Sequence, residues 1–318
     1  MKVRRKQVNG HFYYYLEESL RLQKPKVYSV SLGTKIPPKR QLEKRKKELF
    51  CKIYSDLLHE AEAIYLPKER LIALEKGKIQ YEARLRRLGK IQREEKDEVD
   101  TVNFVYTTLS TEGVPITRED ANLAYKFAKK GVRGIRDENL QVSLDMIKGL
   151  RHVRASRKGM ELEFILDLHN TIMEGFAKKN PGKLRTKPAY IYLRSYERVE
   201  EIGFRPPSPG DLREKLGQFV SWYNSQLGSL NSIELCALAH LRFYAIHPFE
   251  DGNKRMSRLL LNKALHDCKY PLLNVSKKSG KYFDALVRSV EREDERPFVE
   301  FVASEFEELF SKRFKRRG

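Results

Sequence analysis

His247-Pro248-Phe249-Glu250-Asp251-Gly252-Asn253-Lys254-Arg255-Met256-Ser257-Arg258 is the stretch on which the reading of this chain turns. Before it, Ile233 to Ile246 is apolar at almost every position, which predicts a helix buried on most sides. After it, Met256, Leu259, Leu260 and Lys263-Ala264 continue at helical spacing. Between the two lies a turn that no hydrophobic core requires. Gly252 and Asn253 are residue types that reach left-handed backbone conformations at little cost. They let successive amide N–H groups face one concavity at the start of the next helix, a site suited to phosphate. Arg255 and Arg258, three apart, share a helix face and can bind further phosphate oxygens. Asp251 is a hard oxygen ligand for a Mg²⁺ that bridges phosphates, and His247 is a candidate general base. These residue types in this order predict a nucleoside triphosphate site.

The stretch resembles the signature of the Fic proteins, H-x-F-x-D/E-G-N-G/K-R-x-x-R, at every defined position. The resemblance implies a mainly α fold, a Fic-type helical bundle with a small β-hairpin flap. It also implies transfer of AMP from ATP to a Ser, Thr or Tyr hydroxyl of a target protein, with ATP as co-substrate and Mg²⁺ as cofactor. Carried over by position, it implies His247 as base, Phe249 as core anchor, Asp251 as metal ligand, Gly252 and Asn253 as anion hole, and Arg255 and Arg258 as phosphate ligands. Lys254 stands where most AMP-transferring members have a second Gly. The related Doc toxins, which transfer a phosphoryl group, carry Lys there but generally lack the last arginine. Retention of Arg258 favours adenylyl transfer, with phosphoryl transfer as the alternative.

A second segment, Val102 to Gly113, places Val102, Val105, Tyr106 and Leu109 on one helical face, with Gly113 as the stop. Glu112 falls at the C-terminal end, where the helix dipole disfavours a carboxylate. The segment resembles the inhibitory helix of Fic proteins, S/T-x-x-x-E-G/N, through Thr108, Glu112 and Gly113. That resemblance implies that Glu112 pairs with Arg258 in the place of the terminal phosphate. It also leaves room for the reverse reaction, since such a Glu can orient a water.

The rest of the chain bounds these readings. Its 318 residues suffice for one large domain with an appendage or for two. Mean hydropathy is −0.61 and no apolar run spans a bilayer, so a soluble protein is expected. With no secretory segment, and with Cys51, Cys236 and Cys268 scattered, the expected location is the cytoplasm. Four segments are expected: a small basic β unit at 1–38, a charged helical linker at 39–98, a Fic domain at 99–310 and a basic tail at 311–318. Asn9-Gly10 predicts a hairpin, and Lys26 to Leu32 a third strand. Helices are expected over 39–66 and 68–97, separated by Pro67.

Residues 187–205 read as two short strands, resembling the flap that holds a target segment by strand addition. His169 and His240 read as structural core histidines. The net charge of +20, half of it in residues 1–50, allows nucleic acid as a partner of the N-terminal unit, and the charged helices allow a homodimer. A nucleic-acid-binding or scaffold protein with an idle Fic domain is the reading from another class. A metal hydrolase built on His247, Glu250 and Asp251 lacks a further His or Cys cluster.

Overall fold

The computed structural model describes residues 1–21, 25–57, 61–132, 135–176, 179–194, 201–275, 280–291 and 293–311. The expected basic tail from Lys312, Gly134 and the tip of the 187–205 hairpin (195–200) lie outside the described residues. The chain packs as two units, Met1–Gly89 with Phe306–Gly318, and Lys90–Glu305.

In the first unit, β1 (Lys2–Val8), β2 (His11–Arg21) and β3 (Pro25–Gly33) form an antiparallel sheet in sequence order. Asn9 and Gly10 turn the first hairpin with positive φ at both residues, as their types allow. Alternation puts Leu16, Tyr28, Val30 and Leu32 on one sheet face, where Leu49 and Ile53 of α1 (Lys39–Leu57) complete a core. The helix expected over 39–66 is described as far as Leu57, and residues 61–66 are not helical. The next helix, α2 (Lys68–Arg86), starts after Pro67, whose fixed φ suits the boundary.

The segment expected as one helix over 68–97 divides at Arg87–Gly89. The helix expected from Val102 begins earlier: α3 runs from Lys90 to Thr111. Its polar N-terminal half is mostly exposed, so the apolar pattern that marks Val102–Leu109 registers burial, not the helix start. Four further helices of the second unit, α4 (Arg118–Lys130), α5 (Glu138–Ala155), α6 (Leu162–Ile172) and α7 (Leu212–Gln226), surround a central antiparallel pair. That pair is α8 (Ser232–Ile246) and α9 (Asn253–Asp267), followed by α10 (Lys281–Glu291) and α11 (Arg296–Ser311). Between α6 and α7, β4 (Ile191–Arg194) and β5 (Glu201–Phe204) pair antiparallel, Ile191 opposite Phe204.

Apolar residues on every side of α8 explain why it is central, while α9 buries Leu259, Leu260, Leu261 and Leu265 together with partnered polar groups. From Ile233 to Ile246 only Arg242 and Ala245 escape burial. Gly149 of α5 lets the neighbouring helices approach: a Cβ there would lie 2.4 Å from Ile172 and 3.2 Å from Leu259. The far end of α9 is pinned by a buried charge network. The Lys263 ammonium donates to the carbonyls of Arg157 (2.9 Å) and Gly159 (2.7 Å) and to the Asp267 carboxylate (2.6 Å). Asp267 also accepts from the Gly159 amide and the Tyr223 hydroxyl, at 3.0 and 2.8 Å. Every ammonium proton is used, which a fully buried charge requires. Lys263→Ala strands the Asp267 carboxylate and should lower stability by about 3–5 kcal/mol. Chemical denaturation measures it; a loss below about 1 kcal/mol would mean that water replaces the ammonium.

Candidate functional site

The loop between α8 and α9 is closed by left-handed residues at each end. His247, which ends α8, has φ +48°, and Gly252, which precedes α9, has φ +79°. Sequence analysis expects left-handed backbone at Gly252 and Asn253; only Gly252 has it, because Asn253 is the first residue of α9. The Asn253 side chain instead clamps the loop, accepting from the Phe249 amide (3.0 Å) and donating to the Phe249 carbonyl (2.7 Å). No side chain caps the start of α9, so its first amides, from Asn253 onward, remain open. Any side chain at Gly252 would meet Met173 Sδ at 3.1 Å and His169 Nε2 at 3.3 Å.

His169 secures this loop from beneath. Its ring stacks on Phe249, with centroids 3.6 Å apart and planes 1° from parallel. Nδ1 accepts from the Gly182 amide (2.9 Å), so the proton sits on Nε2, which donates to the Asp251 carbonyl (3.1 Å). Burial, helped by the nearby charge of Arg255, holds His169 down to about 4, matching a neutral ring with this tautomer. A structural role is what sequence analysis expects of His169; its grip on the motif loop has no signature in the spacing.

Arg185 is a residue that sequence reasoning missed. Its guanidinium donates to the carbonyls of His247 (2.9 Å), Lys187 (2.9 Å) and Pro207 (2.6 Å). Its own amide donates to the Pro248 carbonyl at 2.9 Å. One buried side chain thus ties the turn at His247 to the segments flanking the β4–β5 hairpin. The available signal was an arginine after a Gly-Lys-Leu break, too common to single out.

The imidazole of His247 is partly exposed, with its Nδ1 buried and without a hydrogen-bond partner. Burial, with the charges of Arg185 and Lys254, lowers its pKa to about 4, so it is neutral at pH 7. Asp251 stays half-exposed; its Oδ1 accepts from the Gly252 amide at 2.6 Å and from Arg255 Nη2 at 3.2 Å. Lys254 is half-buried, with no hydrogen-bond or ion-pair partner among the described residues.

Glu112 reaches this loop from the end of α3. Past Thr111 the chain turns through Gly113 (φ +82°), whose amide donates to the Ser110 carbonyl. Glu112 Oε1 accepts from Arg258 Nη1 at 3.1 Å, and Oε2 lies 3.4 Å from Arg255 Nε. The expected pair with Arg258 is therefore present, and Arg255 joins it. Arg258 Nη1 also donates to the carbonyl of Thr108, at 3.1 Å. The Arg258 guanidinium, 1% exposed, lies over the Tyr282 ring at 5.0 Å. Its Nε and Nη2, and Arg255 Nε, are buried donors without a hydrogen-bond partner. Arg258 therefore keeps two buried donors without a hydrogen-bond partner, while Arg255 Nε faces the Glu112 carboxylate.

Residues 159–265, from the approach to α6 through α9, match the model of the Fic/DOC family. Over these residues the chain is similar to the Fic/DOC family. A protein adenylyltransferase Fic from Drosophila mojavensis is 30% identical over 205 residues, covering 63% of this chain and 38% of that protein. The corresponding protein of Drosophila virilis is 28% identical over 244 residues, covering 75% and 47%. The chain thus spans less than half the length of these relatives. Among solved structures, a Fic domain containing signaling protein from Bacteroides thetaiotaomicron aligns with TM-score 0.65 at 23% identity, covering 76% of this chain and 94% of that one. Fic-1 from C. elegans aligns with TM-score 0.61 at 20% identity, covering 85% and 82%. At these identities the likeness is one of fold, and the mainly helical Fic architecture with a small hairpin is what the sequence motif implies.

Two expectations test the geometry without any substrate. Arg185→Lys keeps the charge but cannot span three carbonyls, so amide exchange at β4 and β5 should speed up at least tenfold; unchanged exchange would mean that the hairpin holds itself. His169 has a folded pKa below its unfolded value near 6.5, so its stabilising share is lost as pH falls from 6.5 towards 4. The stability gap between the native chain and His169→Gln should shrink by roughly 1–2 kcal/mol between pH 7 and 5, read by denaturant titration at each pH. A constant gap would show that folding does not shift the pKa of this ring.

Proposed function

We propose that this chain is a protein adenylyltransferase held off by its own Glu112. The supporting observation is the one carboxylate shared between Arg255 and Arg258, beside a neutral imidazole and the open amides of α9. In the reaction, the neutral ring of His247 takes the proton of a target Ser, Thr or Tyr hydroxyl. The hydroxyl oxygen attacks the α-phosphorus of ATP, the bond to the bridging oxygen breaks, and pyrophosphate leaves. The amides of Gly252 and Asn253, with Arg255 and Arg258, bind the phosphate oxygens whose charge grows in the transition state. A triphosphate beside His247 also raises the basicity of its ring, offsetting the depression set by Arg185 and Lys254.

Among the described residues no three His, Cys, Asp or Glu side chains gather into a metal cage. Asp251, with one oxygen already hydrogen-bonded and the other without a named partner, fits a Mg²⁺ that takes its remaining ligands from phosphates and water. Bound there, the ion would neutralise phosphate charge. The β4–β5 hairpin offers backbone for a target segment to pair with, which would bring a hydroxyl to His247 without reading every side chain. The unpartnered Lys254 favours a second reading, in which the γ-phosphoryl group is transferred instead.

Glu112 occupies donors that ATP needs, so its removal should release the reaction. Incubation of Glu112→Gly with ATP labelled at the α-phosphate should label protein 5- to 150-fold faster than the native chain. His247→Ala in the same background should abolish labelling. Equal rates with and without Glu112 would remove the brake from the proposal. Label transferred from the γ-phosphate and not the α-phosphate would establish the phosphoryl reading in its place.

A further inference from the structure

The charge of this chain is concentrated away from the Fic site. Residues 1–89 hold 22 Lys and Arg against 10 Asp and Glu, and residues 306–318 hold five against two. That unit, about a third of the chain, therefore carries 15 of the 20 net positive charges. Its sheet has two unlike faces. One packs Leu16, Tyr28 and Val30 against α1. The register places Lys2, Arg4 and Lys6 on the other, opposite Glu17, Tyr15 and Tyr13.

All three cations are exposed, and every residue of β1 is exposed. Lys6 pairs with Glu17 at 2.6 Å and lies 5.4 Å over the Tyr15 ring. That pairing satisfies the acid of this face and leaves Lys2 and Arg4 without an ionic partner among the described residues. On β3 the same face presents Ser31 opposite Tyr15, Ser29 opposite Glu17 and the exposed Val27 opposite Ser19.

We infer that this open sheet face binds double-stranded DNA, with β1 and β2 laid along the duplex and Lys2 and Arg4 on its phosphates. Charge complementarity argues for a polyanion. Shape argues for a duplex: the exposed β1–β2 side of the three-stranded sheet is two strands wide, a width that a major groove about 12 Å across admits, and its seven-pair ladder runs roughly 23 Å along it. Lys6 lies over the Tyr15 ring and leaves Tyr13 to stack on an unpaired base, one ring where successive bases of a single strand need several. This inference uses no residue of the Fic site and stands or falls apart from it.

The test is fluorescence anisotropy of the full chain with a labelled 20-base-pair duplex, from 50 to 200 mM salt. Micromolar binding is expected at 50 mM, weakening at least tenfold by 200 mM. Lys2→Ala/Arg4→Ala should weaken binding at least fivefold and flatten the log–log salt slope by about 2, one unit per lost phosphate contact. Lys44→Ala/Lys47→Ala removes the same charge from α1, which covers the opposite sheet face, and should change affinity less than twofold. Unaltered thermal transitions in both variants confirm that each folds. Three results would overturn the inference: no binding at 50 mM salt, equal losses in the two double variants, or tighter binding to a single strand or to phosphatidylserine vesicles than to the duplex.

Discussion

The constraint on which the site depends is the closure of the α8–α9 loop by one amide side chain. Asn253 satisfies both backbone groups of Phe249, which fixes a six-residue excursion between two buried helices at a single geometry. The left-handed turns at His247 and Gly252 follow from that closure, and so does the direction of the first amides of α9. His169 and Arg185 then hold the loop from two sides through backbone carbonyls, without using the charged side chains of the motif. A rigid frame built from main-chain contacts is what lets His247, Asp251 and Lys254 remain partly exposed.

The two arginines of α9 present the opposite balance. A guanidinium buried as deeply as Arg258 needs an anion, and in this structure Glu112 supplies it from another helix. The ring of Tyr282 lies against the group, 5.0 Å from the guanidinium carbon. Arg258 therefore has fixed position and incomplete hydrogen bonding, a combination that suits exchange of one anion for another. Neutral rings at His169, His240 and His247 add no competing positive charge beneath it, burial being the main cause in each.

Much of this was legible in the residues. The loop motif and the Thr108-Glu112-Gly113 segment carry their chemistry in side-chain type and spacing, and so do the Asn9-Gly10 turn and the break at Pro67. Helix limits were less so. The start of α3 at Lys90 falls in charged sequence, where helix formation has no apolar period to report it. Arg185 and His169 were hidden for a different reason. Each acts on backbone groups far away in sequence, and a carbonyl partner leaves no trace in residue identity. The role of the Asn253 side chain was hidden behind its backbone habits: an Asn beside a Gly suggests a turn, yet here it opens a helix.

Arg258 faces one partner in the resting fold and, on the proposed mechanism, another during turnover, while Glu112 serves the resting fold alone. The two positions thus tolerate change very differently. On that mechanism a change at position 112 would open the site and leave its chemistry in place, whereas a change at position 258 would remove a phosphate ligand as well as the partner of Glu112.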